Sequence, residues 1–270
     1  MPKIHPTATV DADARLADDT EVGPGCVIEP GVVIGPGCRL REHVVVRRGT
    51  TLGSGNIVDA FCVFGGEPQD LKFDPADETY LIIGDDNVFR EGVTISRATT
   101  PGNATRIGSR TYWMVGSHAG HDATVHDECI LINGSAVGGH ATVGRAAILS
   151  GNVLIHQYTW IGERVMTQGI SGYSAHLPPF TMGAAINGVV GLNTVGLRRA
   201  PDVTAEDRKQ VKEAYRLLYR SGLSLEAALA EMDAREDWGA PAGRFREFIR
   251  AVVTAEPPYK RPLANPRRRS

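Results

Sequence analysis

Aromatic residues make up only 6% of the 270 residues, and no apolar stretch is long enough to span a bilayer. Neither sign of charge dominates: 29 Lys and Arg face 31 Asp and Glu, which argues against nucleic acid as the main partner. The basic run Arg267-Arg268-Arg269 reads as a solvated end rather than a binding patch. Cysteine is rare too. Cys26, Cys38, Cys62 and Cys129 form no Cys-x-x-Cys pair, so a zinc ribbon or a thioredoxin-type motif is excluded. No secretory leader is visible, since Met1-Pro2-Lys3 runs straight into Ile4, and the cytoplasm is the expected compartment.

What the chain does have is a period of six. An apolar residue returns at Ile4, Val10, Leu16, Val22, Ile28, Ile34, Leu40, Val46, Leu52, Val58 and Phe64. It returns again at Ile107, Trp113, Ala119, Val125, Leu131, Val137, Val143, Leu149, Ile155 and Ile161, with Ala119 the weakest member. Two residues before each lies a small or compact side chain, and all four cysteines occupy that slot as compact hydrophobes. Glycine-rich corners recur between, as at Gly23-Pro24-Gly25 and Gly35-Pro36-Gly37. A six-residue period fits neither an α-helix nor a hairpin sheet, but it fits a parallel β-helix of one short strand and one turn per hexapeptide. The pattern resembles the left-handed hexapeptide-repeat prism, in which three hexapeptides close one coil and residues eighteen apart stack.

The expected division is a left-handed parallel β-helix over 1–190 and a helical domain with an extended tail over 191–270. Two excursions leave the prism, near 65–82 and 97–106. The first carries Gly-Gly, an acid, an amide and a lysine, which suits a loop arched over a ligand. Beyond 190, Thr204 and Ser224 are plausible caps for two helices, and a third is expected from about Gly243 to Val253. Three helices would cover the unpaired edges of the last coil.

Polar residues concentrate on one face. Eighteen beyond His121 is Gly139, and eighteen further is Gln157; Asp122 leads on the same count to His140 and Tyr158. His121, Asp122, His140, His156 and Gln157 therefore share one face in three consecutive coils, none of them in an inward slot. Gly139, above His121, leaves a notch there.

Further segments are distinctive: Gly-Glu-Pro-Gln-Asp-Leu-Lys (66–72), His-Ala-Gly-His-Asp (118–122), Gly-Gly-His (138–140), Ile-His-Gln (155–157), Asn193 with Gly-Leu-Arg-Arg (196–199), and Ala-Tyr-Arg-Leu-Leu-Tyr-Arg-Ser-Gly (214–222). With these the chain resembles, over nearly its whole length, the acyl-carrier-protein-dependent UDP-N-acetylglucosamine O-acyltransferases that begin lipid A biosynthesis. That resemblance implies His121 as general base toward the sugar 3-hydroxyl, Asp122 orienting its ring, and the Gly139 N–H as oxyanion donor. Imidazole suits the role because it titrates near neutrality. It also implies that Gln69, Asp70, Lys72, His118, His140, His156, Gln157, Asn193, Arg198 and Arg199 contact the nucleotide sugar or line its cleft. Met166 and Gly169 match the region that gauges acyl length, and Arg164, Arg216 and Arg220 are candidate docking residues for the acidic carrier protein. The implied assembly is a homotrimer with sites between subunits, His121 on one wall and Asp70 on the other. No cofactor and no metal are expected, the donor being the carrier's thioester. The family's frequent histidine in the segment 183–188 is missing.

Other readings stand beside this one. His118, His121 and His140 resemble the three histidines of a hexapeptide-repeat carbonic anhydrase, though Asp122 beside His121 suits a base dyad better than a zinc site. A related enzyme acting on a 3-amino or other nucleotide sugar, or a non-catalytic trimeric scaffold, would share the same repeat.

Overall fold

The computed structural model describes residues 1–267; Arg268 and Arg269 of the basic run lie outside the described residues. Short parallel strands, mostly two residues long, form three sheets of 12, 9 and 8 strands, the faces of a left-handed prism. The register follows the count of eighteen: His118 pairs with Ala136, and Ala136 with Leu154. Each strand hands its hydrogen bonds to the coils on either side, so the interior needs no loops and can be apolar throughout. Cys26, Cys38, Cys62 and Cys129 are fully buried in it, and the repeat aliphatics are buried from Val22 onward, whereas Ile4, Val10 and Leu16 of the first coil are only partly covered.

The interior also accepts rings where neighbouring strands make room. Phe64, Phe89 and Trp113 form a column with centroid spacings of 4.8 and 5.9 Å. Ala119, the next repeat residue after Trp113, is fully buried as well and stacks between Ile95 and Val137. The compact slot is not wholly apolar either. Asn56 and Asn87 occupy it, and a ladder runs from Trp113 Nε1 to Thr111 Oγ1, from Thr111 to Asn87 Oδ1, and from Asn87 to Asn56 Oδ1. Every rung is satisfied, as burial of these groups requires.

The two excursions rest on each other. The first leaves after the strand Val63–Gly66 and returns at Tyr80–Ile83; the second leaves after Thr94–Ser96 and returns at Ala104–Ile107. The two returning strands pair over four residues. Both outgoing strands lie in one sheet with His118–Ala119, so the first loop falls beside the histidine face of its own chain.

The strand Gly188–Leu192 spans the expected division at 190/191. Four helices follow rather than three: α1 (Thr194–Arg199), α2 (Ala205–Arg220), α3 (Leu225–Asp233) and α4 (Ala240–Val253). A capping box of Thr204 and Asp207 starts α2, and Ser224 caps α3. The last helix begins three residues before Gly243 because Pro241 is tolerated in a first turn, where its missing N–H costs nothing. Phe180, Leu197, Val211, Met232, Phe245 and Ile249 form the core between these helices and the prism end. Helices alone do not cover the last coil. The strand Met166–Thr167 is extended by a hairpin, Thr181–Ala184 with Gly188–Leu192, and by Asn265–Pro266 from the tail. No described helix is long and apolar enough to cross a membrane.

Candidate active site

At each corner where Asp122, His140 and Tyr158 stand, the chain turns through a left-handed conformation, with φ of 58°, 58° and 60°. That repeated turn throws the three side chains outward in one row. His121 Nδ1 lies 2.9 Å from Asp122 Oδ2, and His140 Nε2 lies 3.6 Å from the same oxygen. The same Oδ2 accepts the N–H of Thr99 at 3.0 Å and its hydroxyl at 2.7 Å. The Asp122 N–H in turn donates to Thr105 Oγ1.

Burial opposes ionisation of Asp122, but the hydrogen bonds from His121 and Thr99 and the nearby His140 outweigh it, so its carboxyl sits below the ordinary value. A carboxylate there accepts the Nδ1–H of His121 and leaves the Nε2 lone pair free. Beside that nitrogen is Gly139. A Cβ on it would come within 2.6 Å of His121 Cε1 and 2.8 Å of Nε2, so only glycine leaves the imidazole its space. Among the described residues the Gly139 N–H has no hydrogen-bond acceptor. Burial lowers the imidazoles of His118 and His140 from the usual histidine value. His118 Nδ1 pairs with Thr94 Oγ1 at 2.8 Å, and His140 stacks on Tyr158 at 4.6 Å.

A cavity of about 190 Å³ is lined by Gln69, Ser96, His118, Gly120, His121, Gly138, Gly139 and Gln157. Gln69 thus stands in one subunit with His121, and Asp70 is close enough for its charge to act on His140. Asp70 was expected on the wall opposite His121; within one chain its loop springs from the sheet that carries His118, which sets Asp70 on the same side as its own His121. Asp70 and Lys72 are exposed, with the Lys72 N–H closing a turn on Asp70 Oδ1. His156 is exposed, its Nδ1 donating to the Gln157 carbonyl.

Asn193 and Arg199 stand elsewhere. They line a second cavity of about 530 Å³ with Ile148, Arg164, Met166, Met182 and Val195. Asn193 is buried and committed: its Oδ1 caps α1 through the Gly196 N–H, and its Nδ2 donates to the Arg164 carbonyl. Arg198 and Arg199 are exposed on α1. Gly169 is exposed outside that lining, where an added Cβ would meet the Gly151 carbonyl at 3.3 Å. Arg164, expected at the carrier surface, is 11% exposed and bonded to Asp202 at 2.5 Å, which leaves it little to offer a partner. Arg216 and Arg220 are exposed on α2.

His121, Asp122 and His140 offer ligand atoms within 4.8 Å of one another, close enough for a metal ion; His118 is not among them. Their common point, Asp122 Oδ2, already accepts three hydrogen bonds, which suits an orienting carboxylate better than a ligand. Thr99, Thr94 and Ser96 were not singled out in the sequence. Thr99 sits in an excursion, where the count of eighteen has no hold.

Residues 177–255 match a family model described as UDP N-acetylglucosamine O-acyltransferase, domain 2, and residues 1–36 and 13–48 match one for bacterial transferase hexapeptides. The acyl-[acyl-carrier-protein]–UDP-N-acetylglucosamine O-acyltransferase of Syntrophobacter fumaroxidans is 40% identical over 250 residues, covering 92% of this chain and 96% of that one. Its namesake from Stutzerimonas stutzeri is 38% identical over 253 residues, 93% and 97% of the two chains. The solved UDP-N-acetylglucosamine O-acyltransferase of Moraxella catarrhalis superposes with a TM-score of 0.90 at 35% identity, covering 97% and 99%. With a match of that extent in sequence and in fold, this chain belongs to the acyl-[acyl-carrier-protein]–UDP-N-acetylglucosamine O-acyltransferase family.

Proposed function

We propose that this protein moves a 3-hydroxyacyl or acyl chain from the thioester of an acyl carrier protein to the 3-hydroxyl of UDP-N-acetylglucosamine, the first step of lipid A biosynthesis. The observation that carries the mechanism is the notch over His121, with Asp122 behind the ring and a glycine where any side chain would strike it. His121 Nε2 takes the hydroxyl proton as the sugar oxygen attacks the thioester carbonyl. The unpartnered Gly139 N–H stabilises the oxyanion that results. Collapse breaks the carbon–sulfur bond, and the imidazolium returns its proton to the departing thiolate. His118, half-buried and held by Thr94, and Gln69 and Gln157 form the polar walls that orient the sugar.

The 190 Å³ cavity is too small for a nucleotide sugar together with an acyl chain. A homotrimer supplies the missing wall, as cyclic symmetry would place the cavity of Arg199 and Met166 on one subunit against the histidine face of the next. The exposed guanidiniums of Arg216 and Arg220 then receive the acidic carrier.

Incubating the pure protein with UDP-N-acetylglucosamine and a panel of acylated carrier proteins, then weighing the product, tests the reading. A mass gain equal to one acyl group, removed by mild base as an ester, is expected. Transfer only when a 3-amino nucleotide sugar replaces UDP-N-acetylglucosamine, giving a base-stable amide, would assign the neighbouring reaction, and no product with any donor on either acceptor would overturn both.

A further inference from the structure

The row of corner side chains does not end at Tyr158. After α4, beyond the matched stretch 177–255, the chain turns back along the prism. Trp160 N–H donates to His176 Nδ1, so the proton of that buried ring is on Nε2, which donates to the Tyr259 carbonyl at 2.9 Å. Two backbone bonds follow, His176 N–H to the Pro262 carbonyl and Ala264 N–H to the His176 carbonyl, and Tyr219 Oη donates to the Ala264 carbonyl. Asn265–Pro266 then joins the sheet. A segment fixed at so many points is part of the fold.

Those bonds deliver one ring to the active face. Tyr259 lies flat over Trp160 at 5.6 Å and meets Tyr158 edge-on, with centroids 5.3 Å apart and planes at 88°. Tyr158 in turn stacks on His140 at 4.6 Å with planes 8° apart, and His140 meets His121 edge-on at 5.1 Å. Tyr158 is thus in aromatic contact with both His140 and Tyr259.

We propose that the segment after α4 is a positioning element for the active site, and that Tyr259 caps the row Asp122–His140–Tyr158 and so fixes the plane of the His140 imidazole in the cleft. Tyr259 does not touch the reacting atoms in this role; it acts through Tyr158. The consequence for the nucleotide sugar rests on the acyltransferase reading, whereas the ring geometry does not. Burial, and after it Tyr158 and Asp122, raise the phenol above its ordinary value, so the ring stays neutral and packs as an aromatic.

Two variants and two readouts decide it, all on the full chain. Tyr259→Ser removes the ring, and Tyr259→Phe keeps it. With kinetics normalised to folded protein, the serine variant is expected to raise KM for UDP-N-acetylglucosamine about 3- to 10-fold, the worth of one aromatic pair, with kcat held within about twofold. The phenylalanine variant should behave as wild type. In nuclear magnetic resonance, the His140 Cε1–H signal should move in the serine variant and stay in the phenylalanine variant. An unmoved His140 signal with wild-type KM in the serine variant overturns the proposal, whatever happens to the melting temperature. Loss in both variants alike overturns the stacking role in favour of the hydroxyl. Should the wild type transfer no acyl group, the acyltransferase reading fails, and the His140 signal alone decides the placement.

Discussion

One missing methyl group carries much of the chemistry. Gly139→Ala is expected to lower kcat by about 10²-fold, because a Cβ 2.6 Å from the His121 ring must push it out of line. Melting should change little, since the three nearest atoms an added Cβ meets belong to the His121 ring and none to the prism interior; steady-state kinetics beside a thermal scan checks both. His121→Ala should cost roughly 10²–10⁴ in turnover with the fold intact. Near-normal turnover in either variant would remove that residue from the mechanism. A second residue-scale effect is pH dependence. Burial holds His118, His140 and His176 below the usual histidine value, so all three are neutral in the folded chain. The stability they contribute is present above the unfolded value of about 6.5 and is lost as pH falls through the depressed folded values. A melting temperature that falls between pH 7 and pH 5 is expected; a flat one would contradict these environments. Asp122 is depressed in the other class of group, and its contribution survives until pH drops below the ordinary carboxylate range.

At the scale of elements, the second excursion holds the first. Arg97 is 2% exposed, donates to the Gly65 carbonyl at 3.2 Å, faces Glu67 at 3.7 Å and lies under the Phe73 ring. Arg97→Met keeps the buried stem and removes the charge. KM for the nucleotide sugar should rise about tenfold, the equivalent of one charge-assisted hydrogen bond, and amide exchange across 67–79 should quicken. Unchanged exchange there would show that the loop stands without it. What could be read from the sequence at this scale follows the repeat. The histidine face and the Gly139 notch were legible because a fixed count sets their register. Thr99 was not, because a looped segment has no count, and neither was Tyr259, whose place is set by hydrogen bonds to His176 across 83 residues of sequence. The capping role of Asn193 was not legible for another reason: an amide before a helix looks the same in sequence whether or not it caps α1.

For the whole molecule the prediction concerns assembly and docking. A trimer mass in solution is expected. Mixing His121→Ala with Arg199→Ala subunits should recover some activity if those residues face each other across the interface, while His121→Ala with Asp70→Ala should not, as both lie on one wall. Absence of recovery from the first pair would place Arg199 outside the cleft. Reversing Arg216 and Arg220 to Glu should raise KM for the acylated carrier and weaken the salt dependence of the rate; unchanged kinetics would put the carrier elsewhere.

The register of eighteen residues, seen in His118 over Ala136 and Ala136 over Leu154, bears on how such a chain can change over generations. A gain or loss of one full coil on the Met1 side of the site slides every later residue along the axis without rotating it, so the histidine face survives intact. A gain of one residue rotates the face out of line and turns the aliphatics outward. Length variation among descendants should therefore come in whole coils or in the two looped excursions. The run from His121 through Gly139 to Gln157 should tolerate neither.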